Sequence, residues 1–247
     1  MSASPAAPSS RRRYGVVIPV YNAAAALPEV LQGLADSRSR LPAGSDLAVV
    51  VVDDGSVPAL TVAGPPDLPV TLLRHEGNRG KGAALKTGFA HLLGDPAVAA
   101  VITMDADLQH RPNDLPRFVT RFEERGEGLI VGCRPRDPGV MPAHRILSNA
   151  ITSGIISAMV HQHVPDSQCG YRLYSTGTLR AIDLSEDRFH MESEALIRAG
   201  WARVRLGAVP IPTIYNGAPS AIRNLPDTLN FIAVVWRLTR ERMMGHV

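Results

Sequence analysis

Apolar and polar positions come in alternating blocks along the first half of this chain, and the blocks read in turn as strands and helices. Residues 14–20 form a short apolar run that ends around Pro19 and Asn22, as a strand entering a loop does. Across residues 24–34 the apolar side chains of Leu27, Val30, Leu31 and Leu34 fall at helical spacing. Residues 47–52 are continuously apolar, the pattern of a strand buried on both faces, and stop at Asp53-Asp54-Gly55-Ser56. After a Pro/Gly-rich link, residues 70–73 predict a strand, 82–93 a helix, 98–104 a buried strand, 113–124 a helix and 128–132 another strand. This alternation predicts an α/β domain: a Rossmann-like, mostly parallel sheet with right-handed crossovers and helices on both faces. Ligands of such sheets bind beyond the carboxyl ends of the strands. Asn22, the Asp53-Asp54 pair and the segment from Asp105 to Asp107 all fall there.

The second half is less regular. Residues 144–163 predict a long helix almost free of charge, and 166–175 a polar loop with a short strand. Residues 189–199 predict a helix with Glu192 and Glu194 near its start, and 204–214 short strands broken by Pro210 and Pro212. A last helix over 227–244, capped by Asp227, carries the apolar residues Phe231, Ile232, Val235, Trp236, Leu238 and Met243 beside Arg237, Arg240 and Arg242. That pattern fits a helix packed on the domain or one lying in a membrane interface. The expected layout is a disordered tail over 1–13, a domain over 14–226 and an amphipathic helix over 227–247. Within the domain, 14–135 form the regular half and 136–226 the less regular one.

At 247 residues, with 45% hydrophobic and 20% charged side chains, the chain has the makings of a soluble globular protein with a sizeable core. A net charge of +3 admits an anionic ligand or surface without demanding nucleic acid, and 5% aromatics argue against a base-stacking platform. The two cysteines, Cys133 and Cys169, lack metal-ligand spacing and fit a reducing compartment. Residues 1–13 have no apolar segment of the signal-peptide kind, and no apolar run reaches the roughly 20 residues needed to span a bilayer. The expected location is therefore cytoplasmic, with peripheral attachment to the inner face of the membrane as the extension.

The most chemically specific segment is VITMDADLQH, residues 101–110. In an extended chain Asp105 and Asp107 project to one side, and Gln109 continues the period. Two anions this close are costly unless a divalent cation lies between them and a phosphate. GNRGKG at 77–82 lacks the spacing of a nucleotide-binding P-loop and reads as a flexible loop, with Arg79 or Lys81 near phosphate. Asp53 reads as a turn residue. His161 and His163 read as solvated, and His110 as a minor candidate for the metal shell.

PVYN at 19–22, VDDGS at 52–56, GNRGKG at 77–82 and DADLQH at 105–110 together resemble the family-2 glycosyltransferases of GT-A fold. VGCR at 131–134, DSQCGYRLY at 166–174 and MESE at 191–194 extend the likeness to the subgroup of dolichol- and polyprenyl-phosphate mannosyl- and glucosyltransferases. The resemblance covers about nine-tenths of the chain, and the motifs standing in the family's order make it specific. It implies that Pro19, Tyr21 and Asp54 hold the nucleoside of a sugar nucleotide, with Asn22, Lys81 and Ala106 completing the donor contacts. Asp105 and Asp107, with Gln109, would hold Mg²⁺ or Mn²⁺ on the diphosphate, Asp107 serving the leaving group. Arg134 would meet phosphate or the donor sugar, and Asp166, Arg172 and Glu192 would lie by the acceptor.

The implied reaction is inverting transfer of a hexose from a GDP-mannose or UDP-glucose type donor to a polyprenyl phosphate. The subgroup's Glu after P-x-Y-N is Ala23 here. The bases around its late Ser are missing at Ser220, where Arg223 is the nearest cation. A hydroxyl acceptor therefore stays open, with Asp166, Glu192 or Glu194 as base. Sugar-1-phosphate nucleotidyl transfer and a non-catalytic nucleotide-sugar-binding subunit are the other readings.

Overall fold

The computed structural model describes residues 12–214 and 224–244. Seven strands form one sheet in the order β3-β2-β1-β4-β6-β5-β7. In chain order these are β1 (Arg12–Val20), β2 (Ser45–Asp53), β3 (Val70–Arg74), β4 (Val98–Thr103), β5 (Leu129–Cys133), β6 (Arg172–Ser175) and β7 (Leu206–Pro210). The helices are α1 (Leu27–Ser37), α2 (Lys81–Leu93), α3 (Leu115–Arg125), α4 (Ala143–Val160), α5 (Thr176–Ala181), α6 (Met191–Trp201) and α7 (Asn224–Met243).

The sheet is mostly parallel, as the apolar blocks predict. Only β6 runs against its neighbours, pairing antiparallel with both β4 and β5. Its strands are buried on both sides because each face carries its own core. Val16, Ile18, Val49, Val51 and Ile102 pack with Leu31 and Leu34 of α1 and Phe118 of α3. Val17, Val50, Val52 and Val101 pack with Leu85 and Phe89 of α2, Leu196 and Ile197 of α6 and Leu238 of α7. Alternation along each strand thus feeds two apolar layers, which is why the runs look continuous in sequence.

Several boundaries differ from those expected. Arg12 and Arg13 belong to β1 rather than to a tail, with the Arg13 guanidinium paired to Asp95. α7 begins at Asn224, so Asp227 lies within it and is no cap. The sole strand of the 204–214 region is β7, which ends at Pro210. α5 was not legible as a helix; it is a single short segment capped by the Ser175 hydroxyl, which accepts from Thr178 N–H. The rest of the expected tail, Ser220 and Arg223 fall outside the described residues.

β1 lies at the topological switch point, with β2 and β3 wound to one side and β4 to the other. A crevice opens there at the carboxyl edge. The reversed direction of β6 matters to it. Arg172, the first residue of β6, pairs with Thr103, the last of β4, so the loop before β6 arrives at the carboxyl edge of the parallel strands. Two bonds fix it: Thr103 Oγ1 donates to Gly170 O (2.7 Å), and Gly132 N–H donates to Tyr171 O (2.8 Å).

Candidate active site

Asp105 and Asp107 stand just past β4. The chain is no longer extended there: β4 ends at Thr103, a turn takes in Ala106 and Asp107, and Leu108 has φ of 62°. The period-two argument for Asp105, Asp107 and Gln109 therefore fails, and a turn gathers them instead. Asp107 Oδ1 accepts from Gln109 N–H at 3.0 Å. Ala106 is buried in the core, so its side chain is no donor contact. His110 is buried against Tyr171, with ring centroids 5.2 Å apart, and its Nδ1 accepts from Asp105 N–H (3.1 Å). Burial lowers its pKa below the ordinary 6.5, which matches a neutral ring acting as acceptor.

Lys81, the first residue of α2, reaches across to this turn. Its Nζ lies 2.7 Å from Asp105 Oδ1 and 3.2 Å from Glu192 Oε1, at the start of α6. Burial pushes the Asp105 carboxyl up, but the adjacent ammonium outweighs it and holds that carboxyl down at about 2. Burial also works against the Lys81 charge, and the two carboxylates overcome it and raise its pKa. Glu192 Oε1 is buried without a hydrogen bond of good geometry. Gly170 closes the cluster: a Cβ there would lie 2.8 Å from Lys81 Nζ, 2.9 Å from Glu192 Oε1 and 3.2 Å from Asp105 Oδ2. Only a residue without a side chain lets the three charged groups come this close to the backbone, and nothing in the DSQCGYRLY pattern had singled it out.

Arg134, one residue beyond β5, faces Asp166. Its Nε and Nη2 donate to the two carboxylate oxygens at 2.8 and 3.0 Å. Asp166 is fully buried and also accepts from Asn149 Nδ2 (2.9 Å) and Gln168 N–H (3.2 Å). Burial tends to raise its pKa, and the Arg134 and Asn149 bonds more than reverse that. Asp166 is thus an ionised anchor that orients Arg134 and is not set up as a proton acceptor.

Three expected residues have other tasks. Arg172 is fully buried and donates only to main-chain carbonyls: Cys169 O (2.7 Å), Ser167 O (2.7 Å) and Glu192 O. It holds the 166–171 loop to α6 and does not face a ligand, which corrects its assignment as an acceptor contact. Asp54 is likewise turned inward. It accepts from His75 Nδ1 (2.6 Å), Arg79 N–H (3.0 Å) and Gly80 N–H (2.8 Å), clamping the loop before α2, which corrects its reading as a direct nucleoside contact. Glu194, weighed as a base, is fully buried and bonded to Ser185, Glu186 N–H and Arg198.

Asp53 is the turn residue expected, accepting from Ser56 N–H, Leu60 N–H and Arg74. Asn22 staples two loops: its N–H donates to Ser56 Oγ and its Oδ1 accepts from Val57 N–H, both at 2.9 Å. Pro19 is half-buried beside it, and Tyr21 stands 48% exposed over the crevice. His161 and His163 are exposed, and no group of three or more His, Cys, Asp or Glu among the described residues could close around a metal. Both cysteines are free thiols, and burial pushes Cys169 up to about 12.

The site fits a divalent cation of the open kind. Asp105 and Asp107 are hard oxygen donors on one turn, and phosphate oxygens of a ligand would complete the shell.

A second feature adjoins it. An apolar groove with a volume of about 420 Å³ runs between α4, α6 and α7. Its walls include Leu147, Ile151, Ile155, Phe189 and Ile232, and its polar end holds Glu192. Leu147 (62%), Ile151 (52%) and Ile232 (55%) are unusually exposed for aliphatic residues.

The profile of Glycosyl transferase family 2 matches residues 15–182. An uncharacterized protein of Methanocaldococcus jannaschii is 34% identical over 81% of both chains. The UDP-N-acetylglucosamine–dolichyl-phosphate N-acetylglucosaminyltransferase of Methanococcus voltae is 34% identical over 60% of each. An undecaprenyl-phosphate 4-deoxy-4-formamido-L-arabinose transferase of Erwinia tasmaniensis is 31% identical over 67% of this chain and 50% of its own length. This chain therefore spans only about half to three-fifths of those two named relatives.

Among solved structures, Mycobacterium tuberculosis glucosyl-3-phosphoglycerate synthase superposes with a TM-score of 0.65 at 19% identity, over 91% of this chain and 79% of that one. The same enzyme has been solved with Mn²⁺ and UDP and with Mg²⁺ and UDP. The likeness establishes the fold as GT-A. With a family match running from β1 to just past α5, the chain belongs to glycosyltransferase family 2 and is a glycosyltransferase.

Proposed function

We propose that this glycosyltransferase moves a hexose, with inversion, from a nucleotide diphosphate sugar of the GDP-mannose or UDP-glucose type to a polyprenyl phosphate at the cytoplasmic face of a membrane. The observation that carries this reading is the apolar groove whose polar end, at Glu192, adjoins Lys81 and Asp105. A lipid phosphate needs an apolar channel for its tail that ends on cations for its head. The two named relatives act on dolichyl phosphate and undecaprenyl phosphate, which supports the same acceptor class.

Tyr21, Pro19 and the loops stapled by Asn22 would receive the nucleoside, and Asp105, Asp107 and Gln109 would hold Mg²⁺ or Mn²⁺ against the diphosphate. Bound there, the ion offsets the charge that grows on the departing nucleoside diphosphate. Arg134, whose fork is held by Asp166, would bring its positive charge to the phosphate oxygens. A phosphate monoester, with a second pKa of about 6, is largely ionised near neutral pH and needs placement more than deprotonation. That agrees with a site whose acids Asp166 and Asp105 are held as anions by basic partners.

α7 and α4 would rest on the membrane. Ile232, Trp236 and Met243 are exposed on α7, Arg240 lies 5.8 Å over the Trp236 ring, and Leu147 and Ile151 are exposed on α4. No helix among the described residues is long and apolar enough to cross a membrane.

A second reading, a hydroxyl acceptor with Glu192 as base, is favoured by the Glu192 carboxylate in the groove lining, with Oε1 3.2 Å from the Lys81 ammonium. One assay separates the readings: incubation with either donor, Mg²⁺ or Mn²⁺ and polyprenyl phosphate, with glycolipid as the product. We expect metal-dependent glycolipid formation, reduced about a hundredfold or more in Asp107→Ala with the fold retained. Turnover on a hydroxyl acceptor alone would overturn the lipid-phosphate reading. Donor binding without transfer would indicate a non-catalytic subunit, and pyrophosphate released in a parallel incubation with a nucleoside triphosphate and a sugar 1-phosphate would indicate a nucleotidyltransferase.

A further inference from the structure

We propose that the Lys81 ammonium is a displaceable internal cation, which neutralises Asp105 until a divalent ion arrives and competes with that ion for the carboxylate. The proposal rests on reading Asp105 and Asp107 as the metal site. Lys81 Nζ sits 2.7 Å from Asp105 Oδ1, on the carboxylate that the ion would need.

The exchange has somewhere to go. The same ammonium is already 3.2 Å from Glu192 Oε1, a buried oxygen with no hydrogen bond of good geometry. Moving off Asp105 would let Lys81 complete that contact, so neither carboxylate is left without a cation. The backbone under Lys81 is fixed, because Asp54 holds the N–H of Gly80 at 2.8 Å, so a shift from Asp105 to Glu192 would be a rotation of the lysine stem alone. Gly170 lets the backbone lie against all three charged groups, where a Cβ would crowd them.

The displacement also has a direction. Phe189 and Glu192 both line the apolar groove, and the Phe189 ring centroid lies 5.9 Å from Lys81 Nζ. Arrival of the ion at Asp105 therefore sends a positive charge toward the groove's polar end, where the phosphate head of an acceptor would meet it. Donor binding would in this way prepare the acceptor position. A lysine held by two acids can do this; an arginine forked onto one carboxylate, as Arg134 is, cannot leave as readily.

Direct metal binding tests the idea without turnover. Mn²⁺ is titrated into the full chain in the absence of nucleotide, and free Mn²⁺ is read by electron paramagnetic resonance. Lys81→Met is expected to bind Mn²⁺ about tenfold or more tightly than the wild type, since the competing charge is gone, and Lys81→Arg within about threefold of it. Equal or weaker affinity in folded Lys81→Met overturns the exchange while leaving the metal site standing. Absence of Mn²⁺ binding in both proteins overturns the metal site and the exchange together.

If Lys81→Met does not fold, the wild type decides. Mg²⁺ alone should speed acylation of Lys81 by an amine-reactive reagent severalfold, read by peptide mass spectrometry, because the amine has lost its nearest carboxylate. An unchanged rate overturns the proposal.

Discussion

Asp166 has no exposure to solvent, yet it carries a charge because five donors surround it: Arg134 Nε, Nη2 and N–H, Asn149 Nδ2 and Gln168 N–H. Its folded pKa lies below the ordinary 3.8. A carboxyl depressed on folding contributes stability that is fully present above its unfolded pKa and is lost as pH falls through the folded one. Thermal unfolding followed from pH about 6 down to about 2 should therefore show a steeper acid loss in the wild type than in Asp166→Asn. The variant should also start out less stable by about 3 kcal/mol, since Arg134 loses its counter-charge in a largely buried site. Parallel pH profiles for the two proteins would show that Asp166 is not the anchor described. At this scale the sequence is a good guide to which residues are charged at the site and a poor guide to what they do there. Asp105, Asp107, Arg134 and Glu192 do gather at one edge. Arg172 and Asp54 were expected to face ligands, but each spends its polar atoms on its own chain. Their partners are the main-chain groups of distant loops, which no local pattern announces.

The docking of α7 shows how an element with a mixed pattern resolves. Phe231, Val234 and Leu238 are buried against the α2–α6 face, while Ile232, Trp236 and Met243 are exposed on the same helix. Charge fixes it as well: Arg237 reaches Glu186 at 2.8 Å and Glu241 at 2.7 Å, and Arg198 of α6 bridges Glu194 and Glu241. The choice between packing helix and interfacial helix was therefore between two faces of one helix. Leu238→Ala, at a position with no exposure, should cost about 2–5 kcal/mol in chemical denaturation and loosen hydrogen-exchange protection along α7 first. Loss of protection spread evenly over the sheet would mean that α7 is no separate docking unit. The strands, by contrast, were legible almost throughout, because burial on both faces leaves unbroken apolar runs such as Val49 to Val52. β6 and α5 were harder to read, since each is too short for its period to stand out.

Over the whole molecule the exposed apolar side chains of α4 and α7 gather around the groove, and the excess of three positive charges favours an anionic surface. Replacing Trp236 and Met243 by Ser, both outside the groove's lining, should lower co-sedimentation with anionic lipid vesicles severalfold. Stability should change by no more than about 0.5 kcal/mol for each substitution. Undiminished vesicle binding would exclude α7 as the membrane face. The order of the sheet has another consequence, for the birth of the protein. β5 is bonded on one side to β6 and on the other to β7, and both lie later in the chain. While the ribosome is still making α4 and the loop behind it, Leu129, Ile130 and Val131 have no strand to join. The nascent chain must carry that sticky edge until β6 is made and laces β5 to β4, so its most vulnerable moment falls midway through synthesis.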